Sequence, residues 1–187
     1  MKSTQYLALL RGINVGGKNI IRMTDLRDCF ENNGFNNVLT YIQSGNVIFS
    51  CEEKDMSQLT HRVETMLSER FNYASKIVLV SFQQLSEVVS HAPDHFGSDP
   101  KRFKYDVIFV ATPLTVDEAI NCIKTREGVD RVYPGAKVLY YSRLASKSVQ
   151  SYLSKQVGMP VYKNLTIRNW NTTSKLLQLM AQNRNQA

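Results

Sequence analysis

Residues 38–51, VLTYIQSGNVIFSC, decide the fold, because they have the pattern of two strands joined by a short polar turn. Apolar residues recur through 38–42 and again through 46–51, which is typical of strands with a buried face. The connector Gln43-Ser44-Gly45 is polar and contains glycine, as hairpin loops do. The stretch therefore predicts an antiparallel hairpin, and the fold must accommodate one.

The elements around this hairpin give the first half of the chain a β-α-β-β-α-β order. One helix carries Leu26, Cys29 and Phe30 on one face, and a longer helix begins at the capping pair Asp55 and Gln58. In chain order the predicted elements are a strand at 6–10, a helix at 25–33 capped by Thr24 and followed by Gly34, the hairpin, a helix at 55–71 and a strand at 76–80. This is the order of a ferredoxin-like unit.

The same order recurs in the second half of the chain. A short helix at 81–90 and a linker at 91–104 precede it, since Pro93, Gly97 and Pro100 interrupt regular structure there. The predicted elements are then a strand at 105–110, a helix after the capping pair Thr115 and Glu118, a hairpin of 131–133 and 137–142, a helix at 146–157 ended by Gly158, a short strand at 161–162 and a final helix at 172–182.

The repeated order predicts an α+β fold in which two ferredoxin-like βαββαβ halves pack together with mostly antiparallel sheets. The expected boundaries are 1–81 for the N-terminal half, 82–104 for the helix and linker, and 105–187 for the C-terminal half with its terminal helix. The repeat rests on element order alone, because the two halves share no evident residue identity.

Charge and cysteine content narrow the class of protein. The 23 Lys and Arg against 16 Asp and Glu give a formal charge of +7, which favours anionic partners or serves solubility alone. Three cysteines without metal-ligand spacing favour a reducing cytoplasm. No signal-peptide pattern follows the N-terminus, and nothing approaches the ~20 apolar residues of a membrane span. We therefore expect a cytoplasmic protein without a membrane partner.

The loop after the first strand, residues 12–19 (GINVGGKN), contains the G-x-x-x-x-G-K part of a phosphate-binding P-loop. Asn19 replaces the metal-binding Ser or Thr, and an antiparallel hairpin does not belong in the parallel sheet of P-loop enzymes. A P-loop NTPase is therefore excluded. Two interpretations remain: an anion site flanked by Arg11, Lys18 and Arg22, or a tight turn whose glycines take positive φ.

A second polar cluster, residues 166–172 (TIRNWNT), stands before the final helix. Asn171 or Thr172 is expected to cap that helix, and the helix start attracts anions. Trp170, the only tryptophan, stacks on a base or on Arg168, or else anchors the core. At the tip of the first hairpin, Gln43 and Asn46 have either a ligand-binding role or simple turn chemistry.

Catalytic groups are not evident. His91, Asp94 and His95 lie close together in the linker, where a metal or acid–base role competes with ordinary loop polarity. No cysteine has a histidine nearby in sequence. The sequence therefore predicts no metal site, and it leaves the cofactor and the reaction unknown.

Several of these motifs resemble one family. Residues 9–19 (LLRGINVGGKN), 23–26 (MTDL), 34–35 (GF) and 40–49 (TYIQSGNVIF) closely resemble the N-terminal signature of the family called domain of unknown function 1697, and residues 142–144 (SRL) and 166–172 with Lys175-Leu176 resemble its C-terminal signature. The resemblance implies a bacterial, largely cytoplasmic α+β protein similar to two ferredoxin-like halves. It implies no catalytic residue, cofactor or substrate.

The leading hypothesis is a binding protein for a phosphate-bearing or other anionic ligand. The two polar motifs would share one cleft if the halves pack as pseudo-repeats, which the sequence alone does not decide. The alternatives are a nucleic-acid-binding protein and a homodimer formed through edge strands, whose polar motifs only build turns. The candidate ligand-binding residues are Arg11, Asn14, Gly16, Gly17, Lys18, Gln43, Asn46, Arg168, Asn169 and Trp170.

Overall fold

Two four-stranded antiparallel sheets, each combined with helices, form the protein. The computed structural model describes residues 3–156 and 159–184. The chain divides into two compact units, which are called unit 1 (Met1–Leu85 with Leu176–Ala187) and unit 2 (Ser86–Lys175). The predicted α+β class with two ferredoxin-like halves is confirmed.

The sheet of unit 1 has the strand order β2-β3-β1-β4, with antiparallel neighbours throughout. Its strands are β1 (Thr4–Leu10), β2 (Asn36–Tyr41), β3 (Asn46–Cys51) and β4 (Ile77–Ser81), and its helices are α1 (Met23–Asn32) and α2 (Met56–Phe71), with α3 (Phe82–Ser90) following β4. The hairpin joins β2 to β3, and β3 also pairs with β1, so β2 lies at an edge of the sheet.

One face of this sheet is buried under α1 and α2. Leu26, Cys29 and Phe30 of α1 are buried as the helical spacing predicted, and the rings of Phe30, Phe35 and Phe49 pack with centroids 4.7 to 5.5 Å apart. Burial of such apolar surface is the main stabilising contribution in a domain of this size.

Local caps set most helix boundaries. Asp55 accepts hydrogen bonds from the backbone N–H groups of Ser57 and Gln58, and Thr115 with Glu118 forms a complete capping box, as predicted. The expected cap at Thr24 is wrong, because α1 begins at Met23 and Arg22 occupies the N-cap position without a side-chain bond in the described residues.

Unit 2 repeats the strand order as β6-β7-β5-β8. Its strands are β5 (Phe103–Val110), β6 (Asp130–Pro134), β7 (Val138–Leu144) and β8 (Leu165–Asn169), with α4 (Val116–Cys122) after β5 and α5 (Trp170–Arg184) after β8. The core of unit 2 combines three neighbouring strands with α4. The strands contribute Ile108, Leu139 and Leu165, and Ala119 of α4 and Ile123, directly after α4, pack against them.

The segment between β7 and β8 differs from the prediction. In place of a helix at 146–157 and a strand at 161–162, the chain forms 3₁₀ turns at Ala145–Gln150, Leu153–Gln156 and Pro160–Asn164; Val157 and Gly158 lie outside the described residues. The buried carboxylate of Asp130 accepts from the N–H of Tyr152 at 3.0 Å, and Ser151 Oγ accepts from the N–H of Leu153 at 3.1 Å. These acceptors take the N–H groups that an α-helix would bond to its own carbonyls.

Among residues 3–156 and 159–184, no helix has both the length and the apolar character that crossing a membrane requires.

Candidate functional site

The glycine-rich loop folds as a miniature hairpin, residues 14–19, which is called the glycine finger. Val15 and Lys18 form a β-bridge, and the N–H of Lys18 donates to the carbonyl of Val15 at 3.1 Å. Gly16 and Gly17, between them, both have positive φ, at 59° and 74°. Positive φ at both central residues defines a type I′ turn, so the glycines are required by the turn.

Two asparagine side chains hold the glycine finger in place. Asn14 donates to the carbonyls of Ile21 and Gln43 and accepts from the N–H of Ile21, at 2.8 to 3.0 Å, while Asn19 donates to the carbonyl of Gly12 at 2.8 Å. Both residues have positive φ, which asparagine tolerates better than most residues. The polarity of this motif therefore builds the loop, and Asn14 is occupied by backbone groups.

The tip of the β2–β3 hairpin lies against the base of the glycine finger. Asn46 is fully buried and donates to the carbonyl of Tyr41 and the hydroxyl of Ser44. The side chain of Gln43 is exposed, and its backbone carbonyl receives the bond from Asn14. A Cβ on Gly45 would lie 2.7 Å from Ile13 Cδ1, so only glycine permits this close approach.

The glycine finger and the neighbouring hairpin tip present cations beside exposed apolar side chains. Lys18 and Arg22 are exposed. Val15, Ile20 and Ile42 have exposed fractions of 67%, 77% and 46%. These five residues with half-buried Arg11 are called the finger surface.

Ile42 adds an unusual backbone conformation to this surface. Its φ is 48°, in the left-handed region that β-branched residues rarely adopt. Gly45, three residues later, also has positive φ. Strained backbone persists where the surrounding structure enforces it, and such residues cluster at ligand contacts and switch regions.

The second polar motif lies in unit 2 and consists mostly of structural contacts. Arg168 is buried and donates from its guanidinium to the carbonyl of Ile167 at 3.0 Å, and burial lowers the pKa of Arg168 to about 10. Asn169 caps α5, since its Oδ1 accepts from the N–H of Asn171. The predicted caps, Asn171 and Thr172, are therefore wrong, because the helix begins earlier, at Trp170.

Trp170 packs within unit 2. Its indole meets the ring of Phe96 edge to face, with centroids 5.2 Å apart, and it lies so close to Gly97 that a Cβ there would approach Nε1 to 2.2 Å. The two candidate motifs thus fall in different units: the residues from Arg11 to Asn46 are in unit 1, and Arg168, Asn169 and Trp170 are in unit 2.

The structure also shows a charged cluster that was not predicted. Asp106 on β5 is buried, and its Oδ2 lies 2.6 Å from the guanidinium of Arg143 on β7. Burial raises the pKa of the Asp106 carboxyl, while Arg143 opposes that rise. Lys104 lies two residues before Asp106 and so shares its face of the strand. The signal in the sequence was a single carboxylate, Asp106, directly before the apolar run of residues 107–110.

A second buried carboxylate, Asp130, organises the loop segment beside this cluster. Its Oδ2 accepts from the N–H groups of Arg126 and Tyr152 at 2.9 and 3.0 Å. Burial disfavours the charged form of Asp130, but hydrogen bonds, chiefly from Ser151 and these backbone groups, outweigh it and lower the pKa. Asp130 is therefore ionised near neutral pH and fixes the 3₁₀ turns after β7.

The linker histidines have no metal-site geometry. Nδ1 of His91 lies 3.0 Å from the carbonyl of Glu87 and 3.2 Å from the hydroxyl of Ser90, so this ring closes the end of α3. Across the described ranges, no group of three or more His, Cys, Asp or Glu side chains is placed to hold a metal ion.

Comparison with known proteins supports the family and the fold. The sequence model of the family described as protein of unknown function (DUF1697) matches residues 3–140. The structure of conserved bacterial protein SP0830 from Streptococcus pneumoniae is 28% identical, with a TM-score of 0.83 over 96% of this chain and 99% of that one. No curated protein matches the sequence.

The fold and these likenesses define a bacterial-type α+β protein with two ferredoxin-like halves. The chain belongs to the DUF1697 family, a family of unknown function, as its motifs predicted. The motif at residues 166–172 lies beyond the range that the family model matches, whereas the likeness to SP0830 extends over nearly the whole chain.

Proposed function

We propose that the finger surface binds the phosphate groups of an anionic ligand. The observation that carries this proposal is the arrangement of Lys18 and Arg22 around a hairpin that Asn14 fixes in place. Cations on an ordered loop attract phosphate at a smaller entropic cost than cations on a mobile one. The excess of basic residues over the whole chain adds a long-range attraction for such ligands.

The type I′ turn changes how phosphate would bind. A P-loop surrounds phosphate with successive backbone N–H groups, whereas a Cβ on Gly16 or Gly17 would meet no atom of the described residues within 4 Å. The turn therefore projects into open space. Contacts to phosphate would come from the side chains of Lys18, Arg22 and Arg11.

A projecting surface favours the phosphates of a nucleic-acid chain over those of a free nucleotide. Small-molecule sites are concave and bury most of their ligand, but Val15 and Ile20 at the glycine finger are largely exposed. Apolar side chains beside cations suit a nucleic-acid strand, since bases offer apolar faces and the backbone offers phosphates. Nucleic-acid binding is accordingly the second candidate function, at the same surface.

The charge of the finger surface gives the first test. Binding of fluorescein-labelled single-stranded RNA, single-stranded DNA and ATP is measured by anisotropy at several salt concentrations. We expect Lys18→Glu/Arg22→Glu to weaken binding about tenfold or more, because the variant removes two charge-assisted interactions with phosphate. The slope of log K against log salt should become shallower by about 2, one for each cation that no longer neutralises a phosphate.

The matched control is Lys54→Glu/Arg70→Glu, which makes the same change in net charge at two exposed positions of unit 1 outside the finger surface. This control should keep wild-type affinity apart from a small long-range effect. The proposal is wrong if no probe binds at low salt, or if the control weakens binding as much as the finger variant. Binding of ATP with the affinity of RNA would favour a nucleotide ligand.

The strained Ile42 gives a second, independent prediction. Ile42→Gly should raise the free energy of unfolding by about 0.5–1 kcal/mol, because relief of a left-handed isoleucine exceeds the backbone entropy cost of glycine. The same change should weaken RNA binding, since it removes an exposed apolar side chain from the finger surface. Urea denaturation and anisotropy measure the two effects.

Ile20→Ala is the control for Ile42→Gly, because it removes an exposed apolar side chain of the finger surface at a residue without positive φ. It should weaken binding without stabilising the protein. Wild-type affinity in Ile42→Gly would show that this residue takes no part in binding.

The edge strand β2 of the first sheet argues against the homodimer hypothesis. Pairing of β2 with β3 is interrupted by an irregularity between Asn36 and Leu39, and Asn37 has positive φ. The side chain of Asn183 also donates to the carbonyl of Asn37. Both features make β2 a poor template for a second copy. A concentration-independent dimer in light scattering would favour the homodimer instead.

A cytoplasmic location is part of the proposal. Cys29 and Cys51 are buried free thiols, and Cys122 is an exposed free thiol. Free thiols persist in reducing compartments.

A further inference from the structure

A cavity in unit 2 combines charged, hydroxyl and apolar walls. It has a volume of about 450 Å³, within the range of small-molecule pockets. Its polar wall is formed by Lys104, Arg143, Ser148 and Ser151. Apolar contacts come from Leu153 and Ile167. The cavity is separate from the finger surface, because every described residue that lines it belongs to unit 2.

The two cations of this cavity are direct neighbours across the sheet. Lys104 on β5 and Arg143 on β7 occupy opposite positions in the antiparallel register. Like charges placed directly opposite each other destabilise a sheet. Asp106 supplies an ion partner to the guanidinium of Arg143, and Asp130 on β6 stands opposite Arg143 in the register, whereas the ammonium of Lys104 is exposed beside them.

The two buried carboxylates near the cavity do not line it. Asp106 and Asp130 are only 6% and 7% exposed, and neither is among the described residues that line the cavity. Asp106 orients Arg143, while Asp130 holds the backbone of the segment that carries Ser148 and Ser151. The surface offered to a ligand is therefore cationic and hydroxyl-bearing, although the whole cluster contains two carboxylates.

Order at this wall favours ligand binding over simple surface charge. Arg143 is fixed by a 2.6 Å ion pair, and Ser151 is buried with its hydroxyl accepting from the N–H of Leu153. Groups whose orientation is set before binding lose less entropy when the ligand arrives. Arg143 and Lys104 supply charge, half-buried Ser148 supplies a hydroxyl, and Leu153 with Ile167 supplies an apolar contact surface.

We propose that this cavity binds a small organic anion, with its head group between Lys104 and Arg143 and a short apolar body against Leu153 and Ile167. Carboxylate and phosphate share the required charge and acceptor oxygens.

The test uses the full chain labelled with ¹⁵N and titrated in the NMR spectrometer with hexanoate, hexyl phosphate and the neutral analogue hexanamide. We expect saturable shifts of amides around the cavity, including Ser151 and Ile167, with either anion. Hexanamide should bind at least about tenfold more weakly, because it lacks the charge that the two cations recognise. The stronger of the two anions identifies the head group.

Lys104→Gln is the decisive variant, since Lys104 is exposed and its replacement leaves the Asp106–Arg143 pair intact. We expect it to weaken binding of the stronger anion about fivefold or more. Lys137→Gln removes an exposed cation of unit 2 that does not line the cavity and should leave affinity unchanged. The finger variant Lys18→Glu/Arg22→Glu should also bind normally, which separates this proposal from the finger surface.

Three results would overturn the proposal. These are the absence of saturable shifts at the cavity amides with both anions, equal binding of hexanoate and hexanamide, and an equal loss of affinity in Lys104→Gln and Lys137→Gln.

Discussion

Replacing Gly97 with alanine is expected to lower the free energy of unfolding by about 3 kcal/mol. The φ of Gly97 is +87°, a conformation that costs an L-residue about 1–2 kcal/mol. The added Cβ would lie 2.2 Å from Nε1 and 2.4 Å from Cδ1 of Trp170. Overpacking of this kind costs a further 1–3 kcal/mol, because the indole is already held against Phe96.

Gly128→Ala separates the two contributions to this loss. Gly128 also has positive φ, at 71°, but its Cβ would meet no described atom within 4 Å. It should therefore lose only the conformational part, about 1–2 kcal/mol. Urea denaturation gives both values, and the fluorescence of the single tryptophan reports displacement of Trp170. Equal losses in the two variants would contradict the packing role assigned to Trp170.

Removing Arg143 alone is expected to be nearly as damaging, with a loss of about 3 kcal/mol for Arg143→Met at neutral pH. The variant leaves the buried carboxylate of Asp106 without its ion partner, and an uncompensated buried charge is costly. The double variant Asp106→Leu/Arg143→Met should return to within about 1 kcal/mol of wild type, because apolar residues replace buried ion pairs at little cost.

The loss in Arg143→Met should depend on pH in a defined direction. Burial raises the pKa of Asp106 above its ordinary value of 3.8 even with Arg143 present, so the folded state holds this proton more tightly than the unfolded state. Protonation of Asp106 therefore contributes to the free energy of unfolding. This contribution is fully present below pH 3.8 and is lost as the pH rises through the pKa of the folded state. Without Arg143 the pKa rises further.

Arg143→Met should therefore be much closer to wild type near pH 4 than at pH 7. Urea midpoints across this pH range measure the effect, and the double variant serves as the control because it has no carboxyl at position 106. A loss that stays constant between pH 4 and pH 7 would show that Arg143 stabilises the protein through packing instead of charge.

The position of the finger surface in the sequence was predictable, whereas its shape was not. Lys18 and Arg22 were recognisable as cations near glycines, and the same pattern left both a turn and an anion site open. The hydrogen bonds of Asn14 to Ile21 and Gln43 hold the loop as a projecting hairpin and not as a loop that surrounds a phosphate. One of these partners lies 29 positions away in the chain, beyond the reach of local pattern.

The cavity of unit 2 was not predictable for a related reason. Lys104 and Asp106 are neighbours on β5, but only the β5–β7 register brings Arg143, 37 positions beyond Asp106, beside them. The prediction of a helix after β7 failed for the same reason, because Asp130 accepts a hydrogen bond from the backbone N–H of Tyr152, 22 positions away. Long-range acceptors overrode local helical spacing at this place.

The sequence by itself determined the family, the α+β class, both strand hairpins and the caps at Asp55 and Thr115. These features depend on alternation, helical spacing and capping within a few residues. Only the tertiary structure decided that Asn14 builds the finger, that Trp170 packs on Gly97, and that Arg143 lies beside Asp106 and Lys104. The physical reason is that each of these contacts joins elements distant in the chain, where burial and sheet register select the partner.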